Sequence, residues 1–370
     1  MPFPTAKASF PSIMDPNPHL RWYFQQLSAL PAYSPKTHDK ALRYLTALAA
    51  PGGANKRLIQ TWAFSGLSTV LPGLRALIWK VLLGYLTCDP RDWSLILDSK
   101  RRLYADLKAV HVAEWPLLIG DLSDHPLSLE PHSRWKSYAS DLRLRREILN
   151  DVRRTRPEVL REMRLNQCQS SESLVRILFI YARRHPELGY VQGMNDLLAP
   201  VFYLFEGDAS PGFREEAEAD AYFCFEGLME EMKGMFNRSM DGKPGGIRTQ
   251  LDHLNALLES HDSQLWNHLE RLSVKVQHYG LRWIMLLLTQ DFELPQLYRL
   301  WDSILADPMR FRYFYYVCLA LLVWMREKLL GCDFAQAVAL LQKPKIEDLQ
   351  GLLKLANRLI MSDSSQKGTS

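Results

Sequence analysis

Cysteine is scarce in this chain of 370 residues. The five present (Cys88, Cys168, Cys224, Cys318, Cys332) lie far apart and are odd in number. No C-x-x-C occurs, which removes zinc-ribbon and thioredoxin-like readings and any paired disulfide framework. Reduced, buried structural thiols are expected. Long apolar runs are missing too. The longest, residues 313–325, has 13 residues, short of the roughly 18–20 that span a bilayer, so it reads as a core helix. Charge of either sign is not in large excess: the net value is +4, below the signature of a nucleic-acid binder. The first 14 residues hold Pro2, Pro4 and Pro11 and no apolar stretch, so they do not form a secretory h-region. They also lack acids, a trait shared with transit peptides, but the prolines oppose the amphipathic helix such a peptide needs. Neither a glycine after Met1 nor a C-terminal prenylation cysteine is present. Direct membrane insertion is therefore not expected.

The common catalytic signatures are absent as well. The only Gly-Lys in a glycine-rich stretch, Gly242-Lys243, is followed by Pro244, so no P-loop can form, and the chain is not expected to bind its own nucleotide that way. G-x-G-x-x-G, G-x-S-x-G and H-E-x-x-H are all missing. The ten histidines are scattered. His261 and His268 fall on one predicted face without a cysteine or carboxylate at metal spacing, and read as solvated or capping side chains. No fixed repeat period argues for a solenoid.

What is present is helical periodicity. Hydrophobic residues make up 47% of the chain, ordinary for a globular protein, and they recur at 3.6-residue spacing with no convincing strand alternation. The predicted class is all-α. Residues 1–63 read as an N-terminal extension rich in Pro and Gly, with short helices at 22–30 and 40–48. Residues 64–345 form the helical body, 346–361 a C-terminal helix and 362–370 a frayed polar tail. Within the body, helices are expected from Gly73, over 92–107, around 142–152, over 174–184 capped by Ser171-Glu-Ser173, and over 195–205 and 215–232. Further helices are expected at 247–259, 265–272, 280–289, 294–306, 311–330 and 334–341, with a loop at 237–246. His185-Pro186 should stop the fourth of these, because the residue before proline is pushed out of the α region.

Residues 143–164 hold eight arginines, with Glu147, Asp151, Glu158 and Glu162 among them. Local compensation makes this a solvated helix face. No aromatic residue is interleaved as a stacking platform would require, so nucleic acid is not an expected partner.

Two short polar motifs remain. Ile148, Asp151 and Arg154 are spaced i, i+3, i+6 at a helix end that Pro157 must close. Ile148 faces the core, and Asp151 is placed to hold the Arg154 guanidinium in a bidentate contact. A dipole-favoured C-terminal arginine in an i, i+3 ion pair accounts for the same residues. Tyr190-Val-Gln192 lies between Gly189 and Gly193, which allow positive φ and close backbone approach, with Asn195 as candidate N-cap of the next helix. Gln192 acting as a helix cap or a partner for a buried carbonyl is the plainer alternative. An arginine and a glutamine make no acid–base pair, metal site or nucleophile. They are the two side-chain types that complete a GTPase active site, one neutralising charge on the phosphoryl group and one orienting water.

Together the motifs resemble those of TBC-domain proteins, the GTPase-activating proteins of Rab GTPases. I-x-x-D-x-x-R matches as Ile148/Asp151/Arg154 and Y-x-Q as Tyr190/Gln192. Gly73-Leu-Arg75 with Trp79, Gly189 through Asn195, Arg282-Trp283 and Leu300-Trp301-Asp302 follow in order. The resemblance covers about residues 64–345 and is strongest to the subgroup of TBC domain family member thirteen, although residues 158–173 are short beside an insertion in that subgroup's type member. It implies a V-shaped domain of two helical subdomains and a dual-finger mechanism. In that mechanism Arg154 and Gln192 act in trans, and Asp151 and Tyr190 hold them. The chain would be an activator with no cofactor of its own, since GTP and Mg²⁺ are carried by a GTP-bound Rab partner. It would be a monomer, cytoplasmic and peripheral on endomembranes through that partner. A catalytically inactive Rab-binding scaffold is the second reading, which loss of either finger residue would have favoured. Arg75, Trp79, Trp283, Trp301 and Asp302 are expected to serve packing and a buried hydrogen bond.

Overall fold

A computed structural model describes residues 17–29, 35–50, 52–67, 71, 73–112, 134–155 and 167–366. Among the described residues every regular element is helical, as the periodicity requires. Expectations at Pro2, Pro4, Pro11, Arg156, Pro157, Glu158 and the last four residues fall outside them.

The first helices are α1 (Pro18–Ala29), α2 (Pro35–Leu48), α3 (Lys56–Phe64) and α4 (Leu74–Leu82). After a 3-10 turn (Pro90–Asp92) come α5 (Trp93–His111), α6 (Arg134–Val152), α7 (Gln167–Arg184), α8 (Met194–Glu206) and α9 (Ala217–Phe236). The second half holds α10 (Ile247–His261), α11 (Ser263–Arg271), α12 (Gly280–Leu286), α13 (Leu294–Ala306), α14 (Arg312–Trp324), α15 (Arg326–Leu330), α16 (Phe334–Gln342) and α17 (Leu349–Gln366). The helices α8 and α14 are apolar almost all round and lie inside the molecule: every residue from Tyr313 to Leu322 is buried. No helix is long and apolar enough to cross a membrane among the described residues. The two helices are covered by different neighbours, α9 for α8 and α17 for α14.

Several expected boundaries move. The helix Lys56–Phe64 begins well before the body expected from Phe64, because Asn55 caps it through the Arg57 amide. The helix expected to be capped at Ser171–Ser173 already runs from Gln167, and Ser173 instead donates to Glu218 at 2.8 Å. The single helix expected over 311–330 is split at Met325, and the one expected over 280–289 ends at Leu286. The tail is helical as far as Gln366. His261 and His268 sit on separate helices, since Asp262 ends one and caps the next. The His261 ring lies 2.9 Å from the Asp363 carboxylate. Cys224 and Cys318 are buried, while Cys88 and Cys332 are half-buried.

Two buried acids tie distant segments together. Asp302 on α13 accepts from the Trp79 indole (2.9 Å), the Leu67 amide (2.8 Å) and the Arg75 guanidinium (3.1 Å), so α4, α13 and the segment following α3 meet at one fully buried carboxylate. Asp220 on α9 accepts from Arg101 through two 2.9 Å contacts and from Tyr85 at 2.8 Å, and pairs with Lys80 at 3.0 Å. The Lys80 ammonium is itself fully buried over the Phe213 ring at 3.8 Å. Burial pushes the Asp220 pKa up, and Lys80 and Arg101 more than reverse this, holding it below its ordinary value. Removing one member of such a set strands a charge in the core.

Candidate functional site

Both polar motifs sit at the edges of this rigid body. The helix α6 ends at Val152 because the backbone tightens there: the Arg154 amide bonds to Asp151 O and the Thr155 amide to Val152 O, both at 3.0 Å. Ile148 and Val152 are buried, Asp151 is 6% exposed and Thr155 is 1% exposed. Arg154 falls in the turn past the helix and points outward, its side chain 72% exposed. Its Nη2 donates to Asp151 Oδ1 at 2.8 Å and its Nε to Asn150 O at 3.2 Å.

The contact to Asp151 is therefore single, not the bidentate one expected. The Arg154 Nε is turned to Asn150 O instead, and the second carboxylate oxygen accepts from the Tyr190 hydroxyl at 2.9 Å. That bond and burial raise the Tyr190 pKa, burial being the larger cause and the Asp151 charge next. Tyr190 accordingly stays a neutral donor across the physiological range.

The second motif lies between α7 and α8. Gly189 and Gly193 take φ of +63° and +104°, the left-handed region that favours glycine. The N-cap of α8 is Gly193, not Asn195, which stands inside the first turn. Asn195 has a different task. Its Oδ1 accepts from the Gly193 amide at 3.1 Å and lies 3.1 Å from the Tyr190 hydroxyl, whose one proton it shares with the nearer Asp151, and its Nδ2 donates to Thr155 Oγ1 at 2.7 Å. Thr155 in turn donates to Asp151 O at 3.0 Å. One buried network thus fastens the turn carrying Arg154 to the loop carrying Gln192. The Gln192 side chain is exposed and makes no hydrogen bond among the described residues, so it neither caps a helix nor satisfies a buried carbonyl.

Beneath the glutamine loop lies a corner that gave no sign in the sequence. Leu287 and Leu288 take φ of +47° and +60° in succession, a region strained for leucine. The Trp301 indole donates to Leu287 O at 3.0 Å. A Cβ at residue 193 would come within 2.7 Å of Leu286 Cδ2, so the corner forms the floor of the loop. Gln290 bonds Asp196 at 2.9 Å, and Arg282 pairs with the buried Asp291 beside it. Trp283 is buried against Tyr279, and Trp79 stacks on Trp301 with ring centroids 5.7 Å apart. Arg75, Trp79, Trp283, Trp301 and Asp302 all lie inside the body, away from solvent except for part of Arg75. Among the described residues no cluster of His, Cys, Asp or Glu has the makings of a metal site.

Comparison with known proteins agrees with this architecture. The family described as the Rab-GTPase-TBC domain matches residues 72–330. TBC1 domain family member 13 of Homo sapiens is 32% identical over 368 aligned positions, covering 80% of this chain and 92% of the relative. Those positions outnumber the residues of this chain that they cover, so the relative carries extra residues within the match. The GTPase-activating protein gyp1 of Schizosaccharomyces pombe is 30% identical over 307 positions, covering 78% of this chain and 54% of the relative. Among solved structures, that of the Ypt/Rab-GAP domain of Gyp1p superposes with a TM-score of 0.71 at 25% identity, covering 89% of this chain and 99% of that one. A Chlamydomonas flagellar RabGAP TBC domain shares the fold at a TM-score of 0.56 and 15% identity.

Proposed function

This chain belongs to the Rab-GTPase-TBC domain family, and from that premise we propose that it accelerates GTP hydrolysis by Rab-family GTPases through Arg154 and Gln192 acting in trans. The observation that carries this reading is the pair of exposed tips on one buried network. Arg154 and Gln192 reach solvent while Asp151, Tyr190, Asn195 and Thr155 hold their backbones from below. Relatives named as GTPase-activating proteins support it.

Phosphoryl transfer asks little covalent chemistry of a protein, so positioning and charge suffice. Arg154 enters the partner's nucleotide pocket and offsets charge developing on the β/γ-phosphate oxygens. Gln192 orients the attacking water with its amide. An arginine supplied in trans is worth roughly 10³–10⁵ in rate, about 4–7 kcal/mol. GTP and Mg²⁺ enter with the GTP-bound partner, and the chain needs no cofactor. Its contact with endomembranes, and so its place in vesicle traffic, runs through that partner, and it acts as a monomer.

The test is single-turnover GTP hydrolysis by a Rab panel with wild type, Arg154→Ala and Gln192→Ala. Acceleration of one or more Rabs, lost in both variants, is the expected result. Full activity in either variant on a responsive Rab refutes the dual-finger assignment. Nucleotide-dependent binding without any acceleration identifies an inactive scaffold instead.

A further inference from the structure

Several arginines on this body are neutralised: Arg75, Arg101, Arg176, Arg184, Arg310 and Arg326 each pair with a carboxylate. A row leading along α6 to the candidate finger is not. Arg143, Arg146 and Arg153 are exposed. The side chain of Arg143 reaches only a main-chain oxygen, that of Ala139 at 3.3 Å. Arg146 and Arg153 form no ion pair among the described residues, although Glu147 lies on the same helix. At 3.6 residues per turn, positions 143, 146 and 150 fall within about 60° of one another. Asn150 fills the gap and is also exposed. The row therefore runs for about 10 Å along the helix, and the turn past Val152 continues it with Arg153 and Arg154.

We infer that this row is the docking rail for an acidic face of the GTPase, beside the nucleotide pocket that Arg154 enters. The inference rests on the finger reading of Arg154, and geometry makes the connection. A partner that receives Arg154 must lie against the solvent side of the last turns of α6. The side chains presented there include three cations that form no ion pair among the described residues, with Glu147 the one exposed carboxylate beside them. Facing a neutral or basic surface they would lose hydration or meet repulsion. Facing carboxylates they gain complementarity, which raises the association rate and selects against wrong partners more than it deepens final affinity. Of the local carboxylates, Asp151 is engaged inward by Tyr190 and Arg154, Asp141 pairs with Arg183, and Glu147, one turn from Arg143, forms no ion pair with the row among the described residues, so the row keeps a net positive charge.

The test uses the full chain with charge reversal at the two positions farthest from the finger, Arg143→Glu/Arg146→Glu. Single-turnover hydrolysis is measured against GTPase concentration from about 0.02 to 0.5 M salt, with Arg154→Ala alongside. Both reversed side chains are exposed, and circular dichroism checks the fold. The expected result is a fall in kcat/KM of about tenfold or more at low salt, shrinking as salt rises, with kcat at saturation unchanged. Wild-type kcat/KM itself should fall with salt. Wild-type kcat/KM in the reversed variant at low salt overturns the rail while leaving the fingers standing. Failure of the wild type to accelerate any GTPase overturns the finger reading beneath it. Vesicles containing phosphatidylserine form a second arm: if reversal abolishes vesicle binding and spares hydrolysis, the row is a lipid contact and the rail is refuted.

Discussion

Replacing Tyr190 by phenylalanine removes one oxygen atom from the centre of the network and nothing from either tip. Asp151, its side chain 7% exposed, divides its oxygens between Arg154 Nη2 at 2.8 Å and Tyr190 Oη at 2.9 Å. Without the hydroxyl, Oδ2 keeps no donor among the described residues, and Asn195 Oδ1 keeps only the Gly193 amide. A hydrogen bond to a charged group contributes about 1.5–3 kcal/mol. Tyr190 is only half-buried, so water can reach the vacated site and recover part of this, leaving a stability loss of about 1–2 kcal/mol. For hydrolysis, the carboxylate can now turn, and Arg154 is presented over a wider range of orientations. If half to all of the bond energy had served positioning, kcat falls about 4- to 160-fold. KM stays near wild type, because the hydroxyl lies behind the tips. The assay is single-turnover hydrolysis on a responsive Rab, with urea unfolding of the same preparation. Wild-type kcat in Tyr190→Phe, against a dead Arg154→Ala, would show that the network holds the fold and does not aim the finger.

Three further outcomes follow. Thr155→Val keeps the volume but deletes the acceptor for Asn195 Nδ2 and the donor to Asp151 O; it should destabilise by about 1–3 kcal/mol and reduce kcat, and combined with Tyr190→Phe should fall short of additivity in a double-mutant cycle. Gly193→Ala forces an alanine to φ +104° above Leu286, costing about 1–2 kcal/mol in chemical denaturation, with kcat reduced as Gln192 shifts. Asp220→Asn leaves Lys80 buried and short of a charge partner, and should cost about 3–5 kcal/mol at neutral pH. Because the folded pKa of Asp220 is held below its ordinary value of 3.8, its contribution is complete above that value. It is lost as the pH falls through the folded pKa, so this part of the acid dependence should vanish in the variant.

How far the sequence discloses the site depends on which physical cause sets each feature. The all-helical class was legible because periodicity directly expresses one-sided burial, and α13 was placed to the residue by Leu294-Pro295 at its start. Both candidate finger residues were legible through residue type and spacing. The role of Asn195 was not. An asparagine before an apolar run reads as an N-cap, but Gly193 at φ +104° starts the helix two residues earlier and frees the Asn195 amide to bridge two loops. The bidentate contact was not met because the guanidinium Nε turns to Asn150 O, and the Tyr190 bond to the other Asp151 oxygen comes from 39 residues away, beyond local pattern. The Leu287–Leu288 corner carried no signal, because leucine does not favour positive φ and only tertiary contacts such as the Trp301 bond hold it there.

On the proposed finger role of Arg154, its division of labour with Asp151 bears on how a finger can be both held and released. An exposed ion pair three residues apart contributes only about 0–1 kcal/mol, and Arg154 with 72% exposure belongs to that class. The pair alone cannot fix the guanidinium. Precision has to come from the other end of the bond, where Asp151 is buried, bonded to Tyr190 and seated above Thr155 and Asn195. The weak end is then an advantage. Leaving Asp151 for a phosphate costs Arg154 at most about 1 kcal/mol, against the about 4–7 kcal/mol that a trans arginine supplies at the transition state. A second, stronger carboxylate contact would hold the finger better at rest and subtract from catalysis. The single contact to Asp151 is therefore the arrangement expected of an arginine that must change partners. Introducing a second carboxylate by Asn150→Asp should lower kcat while raising the melting temperature slightly. Unchanged kcat alongside that rise would contradict the view that weak tethering matters.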